Sequence, residues 1–68
     1  MNSTELELFS LKAARTNAGF IQTEAAKEIG ISKGTLASYE NYKTFPDIVT
    51  AKRIAKVYKL PLDKIKWL

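Results

Sequence analysis

Three residues, Gly30-Ile31-Ser32, leave little choice for how the middle of this sequence folds. They separate two short segments, residues 22–29 and 33–40, in which apolar residues recur at helical spacing. Glycine commonly lies just past the end of a helix, and serine is a strong N-cap. We therefore predict a helix closed by Gly30 and a second helix from Lys33 to about Glu40. Two short helices joined by such a turn are typical of a helix-turn-helix unit.

The segment before this unit also shows a helical pattern. Thr4-Glu5-Leu6-Glu7 fits a capping box, which predicts the start of a first helix that Gly19 ends. One side of that helix would carry Leu8, Leu11, Arg15 and Ala18. The second helix would bury Ala25, Ala26 and Ile29.

The segment after the unit predicts two further helices. Asp47 is expected to cap a fourth helix that runs to about Tyr58. Its apolar stripe would consist of Ile48, Ala51, Ile54, Ala55 and Tyr58. Residues 62–67 can form a last short helix, since proline is tolerated near a first turn. The sequence thus predicts an all-α protein, a compact bundle of about five short helices in a single domain over residues 1–68.

The composition restricts the chemistry that such a bundle can support. The 68 residues include no cysteine and no histidine, which removes disulfides, the usual zinc ligands, thiol nucleophiles and the commonest general base. The seven carboxylates show no paired pattern, and a small helical domain offers little room for a substrate pocket. We expect no enzymatic activity, no cofactor, no metal and no small-molecule substrate.

The charge and the terminal segment indicate the kind of partner. The net charge of +4 raises the expectation of a nucleic-acid partner. No apolar run approaches the roughly 18 residues of a membrane span. The N-terminal MNSTELELFS lacks the basic start of a signal peptide. We expect a cytoplasmic protein that makes no membrane contact.

The order and spacing of several residues match a known family. They are Leu11-x-x-Ala14-Arg15, Gly19-Phe20-Ile21-Gln22, Ala26, Gly30-Ile31-Ser32, Leu36, Tyr39-Glu40-Asn41, Lys43, Pro46, Ile54-Ala55-Lys56 and Leu60-x-Leu62-Asp63. In these positions the chain resembles the helix-turn-helix DNA-binding domains of phage repressor and Cro proteins, the Xre-like family. The resemblance implies a lambda-repressor-like DNA-binding fold and a bacterial or phage-infected host cell.

Two positions depart from the pattern of that family. Tyr42 stands where the family usually has glycine after the Glu-Asn pair. Because asparagine tolerates the left-handed conformation better than most residues, Asn41 is expected to take the turn instead. Ile21 stands where a small capping residue usually precedes Gln22, so the second helix is expected to fray or to start differently.

In helix-turn-helix proteins the second helix of the unit lies in the major groove. The side chains on the outer face of residues 33–40 are small enough to let this helix approach base edges. Lys33 can donate to guanine, Ala37 can contact a thymine methyl, and Ser38 can pair with either sort of base edge. Gly34 is less favourable in a helix than alanine by roughly 1 kcal/mol. Either close approach to DNA or simple tolerance of glycine in the first turn of the helix explains why glycine stands at this position.

The resemblance implies further roles. Gln22 would bond a phosphate or an adenine, unless it is an ordinary exposed glutamine. Thr35, Asn41 and Lys43 would contact phosphates, which fix register without reading sequence; the alternative for Lys43 is a solvated loop lysine. Arg15 and Glu40 match residues that pair across helices one and three. Since one buried charge alone is costly, we expect a structural ion pair.

The last third of the chain is basic, and its end is apolar. Lys52, Lys56 and Lys59 align on one face, which is a solvated face, a set of phosphate contacts or a membrane-surface contact. Cro-like proteins pair through the C-terminal region, so Trp67 and Leu68 are candidate homodimer contacts. The alternative is that Trp67 folds back onto its own core.

These observations favour a sequence-specific transcriptional regulator that binds double-stranded DNA at a palindromic operator and blocks a promoter. The alternative is a protein-interaction module of the same fold, such as an antitoxin or antirepressor. In that case the outer face of residues 33–40 would meet a protein, with weak salt dependence. DNA binding instead predicts an affinity that falls steeply with salt concentration, because each phosphate contact releases counterions.

Overall fold

A computed structural model describes residues 7–68, in which four α-helices enclose an apolar core. They are α1 (Leu11–Asn17), α2 (Gln22–Ile29), α3 (Lys33–Glu40) and α4 (Ile48–Tyr58), followed by a 3-10 turn at Leu62–Lys64. The all-α prediction and the helix-turn-helix unit are confirmed. The predicted fifth helix over residues 62–67 is only that 3-10 turn. No helix within residues 7–68 has the length and apolar character needed to span a bilayer.

Helix α1 begins later than the sequence predicted. Ser10 is its N-cap, and the Ser10 hydroxyl accepts a hydrogen bond from the Ala13 N–H at 3.0 Å. Leu8 precedes the helix and is 46% exposed, so its expected place on the helix was wrong. The predicted capping residue Thr4 lies outside the described residues.

The segment before α1 pairs with the end of the chain. Phe9 and Ile65 form an isolated parallel β-bridge. The Phe9 N–H donates to the Lys64 carbonyl at 2.9 Å, and the Lys66 N–H donates to the Phe9 carbonyl at 2.7 Å. This pairing satisfies backbone groups that a longer α1 would have used within the helix.

The core is formed by all four helices and by the segment after the 3-10 turn. The largest fully buried side chains are Leu11, Ile29, Leu36, Ile54, Tyr58 and Ile65. Helices α2 and α4 bury alanines as well, which lets the helices pack closely. Ile48 is 61% exposed, contrary to the predicted stripe, and Val49 beside it is 62% exposed, so the buried face of α4 starts at Ala51.

All four helices end in the same way. The residues Gly19, Gly30, Tyr42 and Lys59 have φ angles of 87°, 90°, 56° and 58°. Each is followed by an N–H that donates to the carbonyl five residues back, as in the Schellman motif. Asn41 has a φ of −91°, so the expectation that it takes the left-handed turn was wrong. Tyr42 takes that turn itself.

Helix α2 starts at Gln22 without fraying. Its N-cap, Ile21, has no side-chain acceptor, but the Glu24 carboxylate accepts a hydrogen bond from the Ile21 N–H at 3.1 Å. This is one half of a capping box, and a carboxylate is favourable in the first turn of a helix. The expectation that α2 frays or starts differently was therefore wrong.

Candidate nucleic-acid interface

Helix α3 is fixed at its start by Ser32. The Ser32 hydroxyl accepts from the Thr35 N–H at 3.0 Å and donates to the Thr35 hydroxyl at 2.8 Å. On the inner side of α3, Leu36 is fully buried. Because the Thr35 oxygen acts as the acceptor in that bond, its own O–H remains able to donate to an external acceptor.

The outer face of α3 carries the residues predicted to contact bases. Lys33 and Gly34 are exposed, and Ala37 and Ser38 are half-buried. A Cβ built on Gly34 would meet nothing closer than the Ser32 hydroxyl oxygen, at 4.0 Å. Packing within the protein therefore does not require glycine at this position, and close approach to DNA and simple tolerance of the N-terminal turn both stay as explanations for it.

Ser38 is hydrogen-bonded to Thr44, a residue with no predicted role. The hydroxyls of Ser38 and Thr44 lie 2.7 Å apart, and either of them can be the donor. This bond holds the loop after α3 against the outer face of the helix. A separation of six residues is not a helical spacing, so no local pattern indicated Thr44.

A buried ion pair joins α1 to the end of α3. The Arg15 Nε lies 2.7 Å from Glu40 Oε2, and the two side chains are 9% and 6% exposed. A second guanidinium nitrogen donates to Glu40 Oε1 at 3.2 Å, and a third donates to the Phe20 carbonyl at 3.0 Å. The hydrogen bonds to Glu40 raise the pKa of Arg15, with burial acting in the opposite direction. The guanidinium therefore stays charged.

Gln22 belongs to the same network. Its Nε2 donates to Glu40 Oε1 at 3.1 Å, so this glutamine is held in place and half-buried. One N–H and the carbonyl oxygen of the carboxamide remain for an external contact. Glu40 therefore positions the start of α2 relative to α3.

Tyr58 lies in the core near this network. Burial raises the pKa of Tyr58 to about 12, with a further contribution from the negative charge of Glu40. Its ring is tilted against Phe20, with 6.3 Å between the ring centroids. The phenol consequently stays neutral at physiological pH and acts as an apolar support.

Arg53 secures the turn between α2 and α3. No sequence pattern indicated a role for Arg53 beyond the basic character of the last third of the chain. Its Nη1 donates to the Ile29 carbonyl at 3.1 Å, at the C-terminal end of α2. A Cβ on Gly30 would lie 3.2 Å from that nitrogen, so the turn and the guanidinium fit closely together.

Tyr42 secures the turn after α3. Its hydroxyl accepts from the Leu11 N–H at 3.2 Å and donates to the Lys66 carbonyl at 2.9 Å. The Lys66 Nζ lies 5.8 Å from the centre of the Tyr42 ring, within the range of a cation–π contact. A left-handed conformation costs a non-glycine residue roughly 1–2 kcal/mol. These contacts offset that cost.

The remaining predicted contact residues lie at the surface. Asn41 and Lys43 are exposed at the C-terminal end of α3. On α4 and just after it, Lys52, Lys56 and Lys59 are also exposed. Among residues 7–68 no group of three or more side chains is arranged to hold a metal ion.

The C-terminal segment both packs inward and presents an apolar surface. The Trp67 Nε1 donates to the Leu62 carbonyl at 2.9 Å, and the indole packs partly against the core. Leu68 is 80% exposed. The two residues border an apolar groove of about 260 Å³, lined by Phe45, Pro46, Ile48, Ala51, Leu62, Trp67 and Leu68. Phe45 was not predicted to be part of this surface, and Ile48 was predicted to lie in the core.

Comparisons with known proteins agree with this geometry. A model of the helix-turn-helix family matches residues 11–65. The chain is also similar to the HTH-type transcriptional regulator ImmR of Bacillus subtilis (strain 168), with 36% identity over 53 residues, which are 78% of this chain and 42% of that protein. The chain thus spans less than half the length of this relative. No solved structure matches the chain.

Proposed function

This chain belongs to the Xre/Cro-like helix-turn-helix family, which consists of DNA-binding regulators rather than enzymes, and from that premise we propose that it represses transcription by occupying a promoter. In this proposal α3 lies in the major groove of double-stranded DNA and reads a specific sequence. The protein acts in the cytoplasm of a bacterium or phage-infected host cell, where promoter DNA is accessible to it.

The outer face of α3 is the observation that carries the proposal. Lys33 and Gly34 are exposed, while Leu36 on the opposite side is fully buried. The ion pair of Arg15 with Glu40 fixes the helix at its last residue, and Ser32 fixes it at its start. A rigid helix with a thin polar face suits base readout, because bidentate contacts need well-placed donors.

Base contacts are assigned to four residues of that face and to Gln22. Lys33 would donate to guanine, Ala37 would contact a thymine methyl, and Ser38 would accept or donate at a base edge. Gly34 would let the backbone of α3 come close to the base edges. The free N–H or carbonyl oxygen of the Gln22 carboxamide would bond an adenine or a nearby phosphate.

Phosphate contacts would hold α3 in register. Thr35 has a free hydroxyl proton, and Asn41 and Lys43 are exposed at the end of the helix. At the start of α2, the amides of the first turn have no partner within the helix and favour an anion such as phosphate. Such contacts supply affinity and salt dependence without reading sequence.

A second copy of the chain would cover the apolar groove beside Trp67 and Leu68. The groove lies among exposed apolar side chains: Phe45 is 52% exposed, Ile48 61% and Leu68 80%. Because a homodimer has two-fold symmetry, a palindromic operator with two half-sites follows from it. Trp67 packs partly on its own core and offers its remaining surface to the partner.

Selection from random duplex DNA, followed by titration of the enriched fragment at several salt concentrations, tests the function. We expect a palindromic consensus. Lys33→Ala or Ser38→Ala should weaken binding by about 1–3 kcal/mol and relax specificity at one position of each half-site. Lys43→Ala should weaken binding to all sequences alike. It should also reduce by about one the slope of the logarithm of the binding constant against the logarithm of the salt concentration.

Lys64→Ala is the matched control, since it removes the same charge from the 3-10 turn on the far end of the chain. It should leave the consensus unchanged. An absence of enriched sequences, or shallow binding that neither α3 variant alters, would contradict the regulator function. The same face would then be tested against protein partners, as the antitoxin or antirepressor alternative requires.

A further inference from the structure

We propose that Tyr42 is a positioning residue that fixes the C-terminal segment, residues 65–68, relative to α3 and so sets the distance between the two half-sites. This inference rests on the proposed function. It concerns a residue that makes no contact with DNA in that proposal and stands where the resembled family usually has glycine.

Tyr42 links three parts of the chain through one side chain. Its backbone forms the left-handed turn directly after α3, with a φ of 56°. Its hydroxyl accepts from the Leu11 N–H at the start of α1, at 3.2 Å, and donates to the Lys66 carbonyl at 2.9 Å. The Lys66 ammonium also lies 5.8 Å from the centre of the ring.

The link ends beside the surface proposed for the second copy. Lys66 immediately precedes Trp67 and Leu68, which border the apolar groove. The backbone of residue 66 is also bound by Phe9 through its N–H, at 2.7 Å, so the Tyr42 hydroxyl and Phe9 hold both of its peptide groups. The segment is therefore held from two sides at one residue.

Glycine at position 42 would form the same turn without such a link. A left-handed turn needs only a residue that tolerates a positive φ, and glycine does so without a steric penalty. A tyrosine is unfavourable there unless its side chain contributes something else. In this chain the tyrosine contributes a fixed connection between the end of α3 and the C-terminal segment.

Tyr42→Phe tests the connection, because it retains the ring and removes both hydrogen bonds. Binding is measured on operators whose half-sites are moved apart or together by one base pair, and on a single half-site. The parent chain should lose about tenfold in affinity when the spacing changes, whereas Tyr42→Phe should lose less than about twofold. Binding to the single half-site should stay within about twofold of the parent, since α3 itself is unchanged.

A spectroscopic measurement reports on the segment without DNA. Trp67 is the single tryptophan of the chain, so its fluorescence is that of the C-terminal segment. Tyr42→Phe should increase quenching by acrylamide about twofold, because a segment with fewer fixed bonds opens more often. Tyr39→Phe is the control, since it removes a phenolic hydroxyl from α3 and should change neither measurement.

The outcomes separate this inference from the proposed function. Equal loss of affinity on the single half-site and on the full operator would show general destabilisation and would overturn the positioning role. Unchanged spacing dependence in Tyr42→Phe would overturn it as well, whatever the quenching shows. A parent chain without specific binding would overturn the proposed function, and the inference with it, before any variant is compared.

Discussion

The turns on either side of α3 have similar backbones but are held by different means. Before the helix, Gly30 has a φ of 90°, and after it Tyr42 has a φ of 56°. The first turn uses a residue that adopts this conformation freely, while the second uses one that resists it. A left-handed turn can therefore be specified by its own residue or imposed by contacts from elsewhere in the fold.

The contacts around the two turns differ in the same way. The residue of the first turn has no side chain to bond. Ser32 caps the next helix locally through the N–H of Thr35, and one distant side chain, Arg53, donates to the Ile29 carbonyl. The second turn depends on the Tyr42 hydroxyl, which accepts from the Leu11 N–H, 31 positions away in the sequence, and donates to the Lys66 carbonyl, 24 positions away. Substitutions that alter one turn and leave the other intact test this difference between the two turns.

The largest effect is expected from Glu40→Ala, at the end of α3 that leads into the second turn. It would leave Arg15 buried with its main partner removed and would release Gln22. Breaking a buried ion pair in this way costs about 3–5 kcal/mol. Urea unfolding followed by circular dichroism measures the loss, which is large for a small domain.

The double variant Arg15→Met with Glu40→Leu is the control for that prediction. It removes both charges and replaces them with apolar side chains, so it should be more stable than Glu40→Ala. If Glu40→Ala lost less than about 1 kcal/mol, the second turn would not depend on the ion pair, and the difference between the two turns would weaken.

The next largest effect is expected from Gly30→Ala, in the first turn. Alanine would adopt the left-handed conformation at a cost of roughly 1–2 kcal/mol. Its Cβ would also lie 3.2 Å from Arg53 Nη1, which must shift from the end of α2. The free energy of unfolding from urea titration should fall accordingly.

Gly34→Ala is a matched control with the opposite sign. Gly34 lies within α3, and the nearest atom to its added Cβ would be 4.0 Å away. Alanine should therefore stabilise the protein by about 0.5–1 kcal/mol while weakening operator binding. A stabilised variant that binds DNA as well as the parent would show that close approach at Gly34 is not needed.

The same difference explains what could be predicted from the sequence. The helices α2, α3 and α4, the glycine that closes α2, and the caps Ser32 and Asp47 follow from local patterns, and the structure contains them all. Local patterns failed where distant contacts decide the conformation. Tyr42 takes the turn assigned to Asn41, and Phe9 pairs with Ile65 instead of extending α1.

The candidate site shows the same limits. Lys33, Gly34 and Ser38 could be placed on one face because they lie on one helix. The bond between Ser38 and Thr44, and the one between Gln22 and Glu40, join different elements and have no helical spacing. The turn after α3 brings Ser38 and Thr44 together, and the packing of α2 on α3 brings Gln22 and Glu40 together.

The smallest effect concerns Asp47, which ends the loop after α3 and caps α4. Hydrogen bonds from the Thr50 N–H and hydroxyl lower the pKa of Asp47 from its ordinary value of 3.8. A lowered folded-state pKa contributes stability that is present above 3.8 and is lost as the pH falls through the folded value. Ser32, the cap before α3, has no charge to lose in this range.

Asp47→Asn keeps a capping oxygen and removes the titration. Urea unfolding near neutral pH and at a pH below 3.8 should therefore show a smaller acid-induced loss in Asp47→Asn than in the parent chain. Ser32→Ala should be destabilised by the same amount at both pH values, because the bond it loses does not titrate. Equal acid-induced losses in the parent and in Asp47→Asn would mean that the loop after α3 is held by bonds as insensitive to pH as those of the turn before it. The difference between the two sides of α3 would then rest on Tyr42 and the ion pair.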